Sequence, residues 1–177
     1  MNSLRTIAEK MDQAIITSRR NSLAVMMRTD YSERLERIVS VLNALPEGAY
    51  LIGTGPSTVS IIRLSVEEVV LGRSATPLEK SADAVVDYEI HDAVYLGPYE
   101  VSKTHAKIVR TQGSSGWEFG VCDLGSRCGT YVNGKRIDPG DTCHPLSHGD
   151  LISLGPSHTS TFLMVVIDQD ESSRNES

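Results

Sequence analysis

The sequence predicts a mainly β protein, a β-sandwich preceded by two α-helices. From Ala49 onward, short segments rich in Val, Ile, Leu and Tyr follow one another at roughly ten-residue spacing, with Gly, Pro, Asp and Asn between them, which is typical of an all-β sandwich. Before Ala49 the apolar residues recur at three- and four-residue steps, which is the period of a helix. No segment between residues 49 and 167 has helical length or period, so we expect no parallel α/β sheet.

Two amphipathic helices are predicted within residues 1–46. The apolar stripe of the first helix runs from Leu4 to about Thr17. The second helix begins at Asp30, which forms a capping box with Glu33, and it ends where proline and glycine follow. Two interpretations remain open: the apolar faces cover the adjoining domain, or they pair with a second copy of the chain or with a regulator.

Length and charge restrict the possible partners. A chain of 177 residues is long enough for one well-buried domain with an appendage. The net charge of −6 argues against a nucleic-acid partner, since residues 1–46 carry +2 and the rest carries −8. Glu9 and Asp12 stand where a signal peptide needs an apolar run, and the aliphatic run from Phe162 to Ile167 is too short to span a bilayer. We therefore expect a cytoplasmic protein with no membrane partner.

The three cysteines, Cys122, Cys128 and Cys143, form an odd set without CxxC spacing. We therefore expect reduced thiols and no disulfide framework. A zinc site made from these cysteines with His144 or His148 would need spacings that match no common zinc motif. The sequence predicts no metal site and no cofactor.

Three polar clusters stand where predicted strands end or begin: Leu71-Gly72-Arg73, Ser102-Lys103-Thr104-His105 and Ser126-Arg127-Cys128-Gly129-Thr130. In a β-sandwich, loops at one end of the sheets bring together polar side chains from distant parts of the sequence. Guanidinium groups supply forked donors, while hydroxyls and turn amides supply neutral ones, and this combination suits a dianionic phosphate. The clusters therefore predict a phosphate-binding site.

These clusters belong to an ordered set of motifs: GR at 72–73, SxxH at 102–105, DxGSxxGTxVNG at 123–134 and LxxGDxIxLG at 146–155. Their order and spacing resemble the forkhead-associated (FHA) domain, here residues 47–168, with an acidic disordered tail at 169–177. The resemblance implies an eleven-stranded β-sandwich that binds phosphothreonine peptides as a signalling adaptor and has no catalytic activity. It implies that the partners are phosphothreonine-containing proteins, a Ser/Thr kinase or its substrate.

The resemblance also assigns roles to individual residues. Arg73 would bind the phosphate, and Ser102 would donate its hydroxyl to it. The implied phosphopeptide-binding residues are Arg73, Ser102, Lys103, Ser126, Arg127 and Cys128. The residues that would support the site are Gly72, His105, Gly129, Thr130 and Asn133.

Two features depart from the family pattern. Cys128 occupies the position of an asparagine that grips the peptide main chain, and a thiol donates and accepts hydrogen bonds only weakly. The stretch from Val86 to Ser102 is longer than expected, so Tyr95 and Tyr99 either contact peptide residues beyond the phosphothreonine or belong to an insertion that only pads the surface.

Two competing functions are considered. An enzyme would recruit Ser102, His105 and Asp123 as a catalytic triad, but the sequence has no GxSxG nucleophile elbow. The stronger alternative is a protein-interaction or assembly module that no longer depends on phosphate, which Cys128 favours and Arg73 opposes.

A regulatory role is predicted for the helical region. A phosphorylated threonine there, Thr6, Thr17 or Thr29, could occupy the domain's own binding site, because a short tether gives a high effective concentration. Thr17 and Thr29 are expected to flank a loop between the helices. The RRNS sequence that ends at Ser22 resembles a site for basophilic kinases.

Overall fold

The computed structural model of the protein describes residues 2–54, 58, 60–73, 86–90, 97–114, 116–140 and 142–167. The chain divides into two compact units, Met1–Pro46 and Glu47–Ser177. Tyr95 and the predicted acidic tail at 169–177 lie outside the described residues.

The first unit consists of two helices, α1 (Asn2–Arg28) and α2 (Tyr31–Asn43). Asp30 caps α2, since its Oδ1 atom accepts a hydrogen bond of 2.8 Å from the amide of Ser32. This bond satisfies one of the amide donors that the first turn of a helix leaves without an intrahelical partner. The start of α2 is therefore where the capping pattern predicts it.

The predicted end of the first helix near Thr17 is wrong, because α1 continues to Arg28. Polar residues 18–22 interrupt the apolar stripe, but residues 18–28 contain neither glycine nor proline and are rich in residues of high helix propensity. The hydroxyl of Ser22 donates to the carbonyl oxygen of Ser18 at 3.0 Å within the helix. The RRNS sequence and Thr17 consequently lie in a helix and not beside a loop.

The described residues of the second unit form eleven strands in two sheets, which confirms the predicted β-sandwich. The first sheet has the strand order β2-β1-β11-β10-β7-β8, and the second has the order β4-β3-β5-β6-β9. The strands are β1 (Gly48–Gly53), β2 (Ile61–Arg63), β3 (Glu68–Arg73), β4 (Tyr88–Ile90), β5 (Ala106–Gly113), β6 (Gly116–Asp123), β7 (Thr130–Val132), β8 (Lys135–Arg136), β9 (His144–Leu146), β10 (Leu151–Leu154) and β11 (Thr161–Ile167). Neighbouring strands pair antiparallel except β3 and β4, which pair parallel.

The core lies between the two sheets. At the start of β5, Ala106 and Ile108 are buried, whereas Lys107 and Val109 are only half-buried, which is the two-residue alternation expected of a strand with one face toward the core. Both sheets contribute fully buried residues, among them Leu51, Leu71, Ile108, Ile152 and Phe162. The packing of these side chains holds the strand ends, and so the loops between them, in place.

Two of the cysteines form a disulfide, so the prediction of three reduced thiols is wrong. In the pairing of β6 with β9, Val121 lies opposite His144. One residue further along β6, Cys122 therefore lies opposite Cys143, the residue just before β9. Their Cα atoms are 4.3 Å apart, and their sulfur atoms form a disulfide bond. Cys128 is free. The pairing follows from a strand register that the spacing of cysteines in the sequence does not reveal.

Candidate functional site

The candidate site lies where three of the predicted polar clusters meet at one end of the sandwich. Because β3 and β5 are antiparallel, the end of β3 at Arg73 and the start of β5 at Ala106 lie at the same edge of the sheet. β6 is antiparallel to β5, so its end at Asp123 lies at that edge as well. Residues 124–129 then cross to the other sheet, where β7 begins at Thr130.

The loop that carries Ser102 is fastened to the end of β3. The amide of Arg73 donates to the carbonyl oxygen of Ser102 at 2.9 Å, and the amide of His105 donates to the carbonyl oxygen of Leu71 at 2.9 Å. A Cβ atom at Gly72 would collide with the carbonyl oxygen of Lys103, so only glycine allows the loop to approach this closely. Gly72 thus supports the site by placing Arg73 and Ser102 side by side.

Ser102 is also connected to the second loop of the site. Its Oγ atom accepts a hydrogen bond of 3.1 Å from the amide of Arg127. A hydroxyl that accepts one bond still has its own proton to donate. The proton of Ser102 is therefore available to a ligand while the oxygen is held in position.

His105 is buried and connects the loop of Ser102 to the turn of Gly129. Its Nδ1 atom accepts from the amide of Ser102 at 3.0 Å, and its Nε2 atom lies 3.1 Å from the carbonyl oxygen of Gly129. Only the neutral imidazole with its proton on Nε2 makes both bonds. Burial lowers the pKa of His105 and outweighs the opposing effects of the Gly129 carbonyl and the Asp123 carboxylate. His105 therefore bonds to both loops, a position compatible with the supporting role that the resemblance predicts for it.

Asp123 organises the turn that precedes β7. Its Oδ1 atom accepts from the amide of Ser126 at 2.8 Å, and its Oδ2 atom accepts from the hydroxyls of Ser126 and Thr130, each at 2.6 Å. Burial alone would raise the pKa of Asp123, but these hydrogen bonds and nearby His105 together hold it below its usual value. The carboxylate is therefore charged at neutral pH and is held by groups of the protein itself.

Ser126 is predicted among the peptide-binding residues, but its hydroxyl is used inside the turn. It donates to Asp123 and accepts from the amide of Gly129 at 2.9 Å. Its only proton is therefore engaged, and Ser126 supports the turn in the same way as Thr130. The neighbouring Arg127 is exposed, and its side chain has no hydrogen bond or ion pair with any residue that the structure describes.

Gly129 is a junction between three loops. Its carbonyl oxygen lies within hydrogen-bonding distance of His105 and also accepts from the amide of Gly155 at 3.0 Å. It has a positive φ of 85°, which favours glycine. Cys128, immediately before it, is half-buried and is the free cysteine, and its carbonyl oxygen lies 3.4 Å from the hydroxyl of Tyr131. Cys128 thus lies in the same turn as Arg127, whose amide bonds to Ser102.

Asn133 lies beyond β7, in the turn after that strand, and supports the fold. It begins the two-residue turn between β7 and β8 with a φ of 51°. Its Nδ2 atom donates to Asp150 at 2.7 Å, and its Oδ1 atom accepts from the amide of Leu151 at 3.0 Å. It therefore connects the hairpin to the start of β10, and it does not meet the other predicted site residues.

The geometry does not form a catalytic triad. Both ring nitrogens of His105 are engaged by main-chain groups, and the Ser102 hydroxyl is bonded to Arg127 instead. Asp123 bonds to Ser126 and Thr130. His105 consequently has no nitrogen with which to take a proton from Ser102. Within the described part of the chain, no three His, Cys, Asp or Glu side chains lie close enough to hold a metal ion.

The structure gives one residue of the site a role that the sequence analysis does not assign, and it places another residue beside the site. Asp123 is weighed above only as a triad member, although an aspartate followed closely by serine is a signal for a side chain that bonds to its own turn. Arg136 lies beside the site, against Gly129. The two-residue Asn133–Gly134 turn predicts that Arg136 pairs with Tyr131, close to the site, so the signal was present.

Comparison with known proteins identifies the domain. The sequence model of the FHA domain family matches residues 69–155. The chain contains an FHA domain. Every predicted site residue, from Gly72 to Asn133, lies within the matched range.

Solved structures share the fold. An FHA domain of the CT664 protein from Chlamydia trachomatis is 22% identical, covers 68% of this chain and 98% of its own, and has a TM-score of 0.51. The yeast Pml1 splicing factor is 19% identical, with coverages of 74% and 89% and a TM-score of 0.56. The MEK1 FHA domain, solved in complex with a phosphothreonine peptide of HOP1, is 20% identical, with coverages of 70% and 100% and a TM-score of 0.50.

Two further observations concern the chain as a whole. No curated protein shows a significant match to this sequence. Among the residues that the structure describes, no helix combines the length and the hydropathy needed to cross a membrane.

Proposed function

We propose that this FHA domain binds phosphothreonine peptides of partner proteins and serves as a signalling adaptor downstream of Ser/Thr kinases, without catalytic activity of its own. The observation that carries the proposal is the hydrogen bond between Ser102 and the amide of Arg127, which unites the two loops predicted to hold phosphate. The MEK1 FHA domain, which has the same fold, was solved with a phosphothreonine peptide.

Each group at the site has a distinct task in this proposal. Arg73 supplies a guanidinium at the end of β3, where a charge-assisted hydrogen bond to phosphate would be strong. Ser102 donates the proton that its bond with Arg127 leaves available. Lys103, beside it, and the exposed Arg127 add positive charge around the phosphate. The partner is a phosphorylated kinase or a kinase substrate.

A second function is favoured by one observation, the presence of Cys128 at the position of the family's asparagine. A thiol cannot both donate and accept well, so recognition of the peptide main chain should weaken. The alternative is an interaction or assembly module on the same scaffold that binds its partner without phosphate.

A phosphothreonine peptide library, titrated beside unphosphorylated copies of the same peptides, tests the two functions against each other. We expect binding only of the phosphorylated members. Equal binding of the two forms would favour the phosphate-independent module, and replacing phosphothreonine by phosphoserine shows whether the methyl group is recognised.

The N-terminal helices are proposed to regulate the domain or to pair with a second copy. No residue of α2 is buried, and its apolar stripe includes the exposed residues Leu35, Ile38 and Val39. Thr29, between the helices, is the best placed threonine for phosphorylation, because Thr17 lies inside α1.

The affinity for a phosphopeptide tests the regulatory role, and the molecular mass of the protein in solution tests pairing with a second copy. The full chain, before and after kinase treatment, is compared with a truncated chain that begins at Glu47. Weaker binding by the phosphorylated full chain alone would support autoinhibition through Thr29, and a Thr29→Ala variant should abolish it. A dimeric full chain with a monomeric truncated chain would support pairing. Equal affinities and equal monomeric masses would contradict both.

A further inference from the structure

Arg136 lies directly against the turn that carries Cys128. It follows the Asn133–Gly134 turn and pairs with Tyr131 across the β7–β8 hairpin. A Cβ atom built on Gly129 would come within 2.9 Å of its Cζ atom and 3.1 Å of its Nη2 atom. The guanidinium therefore occupies the space that the missing side chain of Gly129 leaves open.

The charge of Arg136 is not neutralised within the described part of the chain. The residue is exposed, and its side chain makes no hydrogen bond or ion pair with any described residue. The carboxylate of the nearby turn, Asp123, already accepts from Ser126 and Thr130. An arginine whose five donors are bonded to no acceptor among the described residues is suited to a carboxylate or phosphate from outside the protein.

The charge at this position also contrasts with the rest of the domain. Residues after position 46 carry a net charge of −8, yet Arg73, Lys103, Arg127 and Arg136 are all in or beside the loops of the candidate site. A single phosphate carries about two negative charges at neutral pH. Of these four side chains, Arg127 and Arg136 are exposed and have no hydrogen bond or ion pair with any described residue, so both can meet anionic groups of a ligand.

We propose that Arg136 binds a second anionic group of the ligand, a carboxylate or a second phosphate that flanks the phosphothreonine in the peptide. This inference rests on the proposed function, since it concerns the same bound peptide. Arg136 meets the turn at Gly129, one residue beyond Cys128, whereas Arg127 stands one residue before it. A peptide that passes Cys128, as the family resemblance implies, would therefore meet the forked donor of Arg136 beside the same turn.

Three matched peptides test the proposal by calorimetry. All carry phosphothreonine, and one flanking position, scanned in turn, holds alanine, glutamate or phosphoserine. We expect the wild-type protein to bind the best glutamate peptide about three- to tenfold more tightly than the alanine peptide, and this gain should shrink at high salt. The phosphoserine arm shows whether a second phosphate or a carboxylate is preferred.

Variants identify the residue responsible. Arg136→Gln should remove the gain while leaving the affinity for the alanine peptide unchanged. Lys135→Gln is the matched control, because it removes a positive charge from the same strand at a position that faces the opposite way. This control should retain the gain. In the wild-type protein, the NMR signal of the Arg136 Nε–H group should shift with the glutamate peptide and not with the alanine peptide, a measurement that needs no variant.

The possible results separate the two proposals. If the alanine phosphopeptide binds but glutamate or phosphoserine brings no gain at any position, the inference about Arg136 is wrong and the proposed function stands. A gain that survives in Arg136→Gln also overturns the inference. If no phosphopeptide binds the wild-type protein, the proposed function fails, and the inference fails with it.

Discussion

The hydroxyl oxygen of Ser102 accepts a hydrogen bond from the amide of Arg127 across 25 positions of the sequence. This hydrogen bond joins the loop before β5 to the turn before β7. The buried side chain of His105 connects the same two segments through its two ring nitrogens. The loops are therefore held in one arrangement without a ligand. A peptide that binds there would lose little free energy to ordering the protein.

His105 should make the stability of the domain depend on pH. Its folded-state pKa is lowered by burial from the ordinary value of 6.5, so below that pH the unfolded chain takes up a proton that the folded chain resists. The free energy of unfolding should then fall as the pH drops below 6.5, with a contribution from His105 of at most about 1.4 kcal/mol per pH unit.

Urea denaturation at a series of pH values measures this effect. A His105→Gln variant should be less stable at every pH, because the flexible glutamine side chain does not hold an acceptor at Ser102 and a donor at Gly129 in the fixed positions of the imidazole ring, and its stability should decline less between pH 6.5 and 5. A variant with the same decline as the wild type would show that His105 is not the group responsible.

The Cys122–Cys143 disulfide should stabilise the sandwich. The bond closes a loop with a sequence separation of 21, for which chain entropy predicts about 3 kcal/mol. Denaturation with and without a reducing agent should reveal a loss of about 2–4 kcal/mol, and Cys128→Ser, which removes the free thiol, should behave like the wild type. Detection of all three thiols in the denatured but unreduced protein would contradict the bond.

Cys128 should limit affinity for the peptide. A Cys128→Asn substitution offers a donor and an acceptor to the ligand main chain, and one or two added hydrogen bonds of about 1 kcal/mol each would raise affinity by roughly five- to thirtyfold. Cys128→Ala is the control and should bind like the wild type. An unchanged or weaker affinity for the asparagine variant would mean that the groove is built around the thiol.

The positions of several candidate residues in the fold could be predicted where the relevant information is local. Gly72 and Arg73 were expected at the end of a strand and lie there, and the capping role of Asp30 is encoded within three residues. The β7–β8 hairpin follows from its Asn-Gly turn, and its register also predicts the position of Arg136.

What depends on distant pairing could not be predicted in the same way. β9 has no strand signal, because His144, Pro145 and Leu146 show neither alternation nor β-branched side chains, and the disulfide depends on the pairing of that strand. The extension of α1 was missed for another reason. Its last residues form a helix by intrinsic propensity, whereas the apolar stripe used for the prediction had already ended.

The central claim is that Arg73 and Ser102 recognise the phosphate of a phosphothreonine peptide. The most direct test is the affinity of Arg73→Ala for the best phosphopeptide from the library, with Arg63→Ala as a control that removes an exposed arginine from β2. We predict that Arg73→Ala keeps its fold, as judged by circular dichroism, and loses detectable binding, while Arg63→Ala binds like the wild type. A folded Arg73→Ala variant that binds with unchanged affinity would contradict the account.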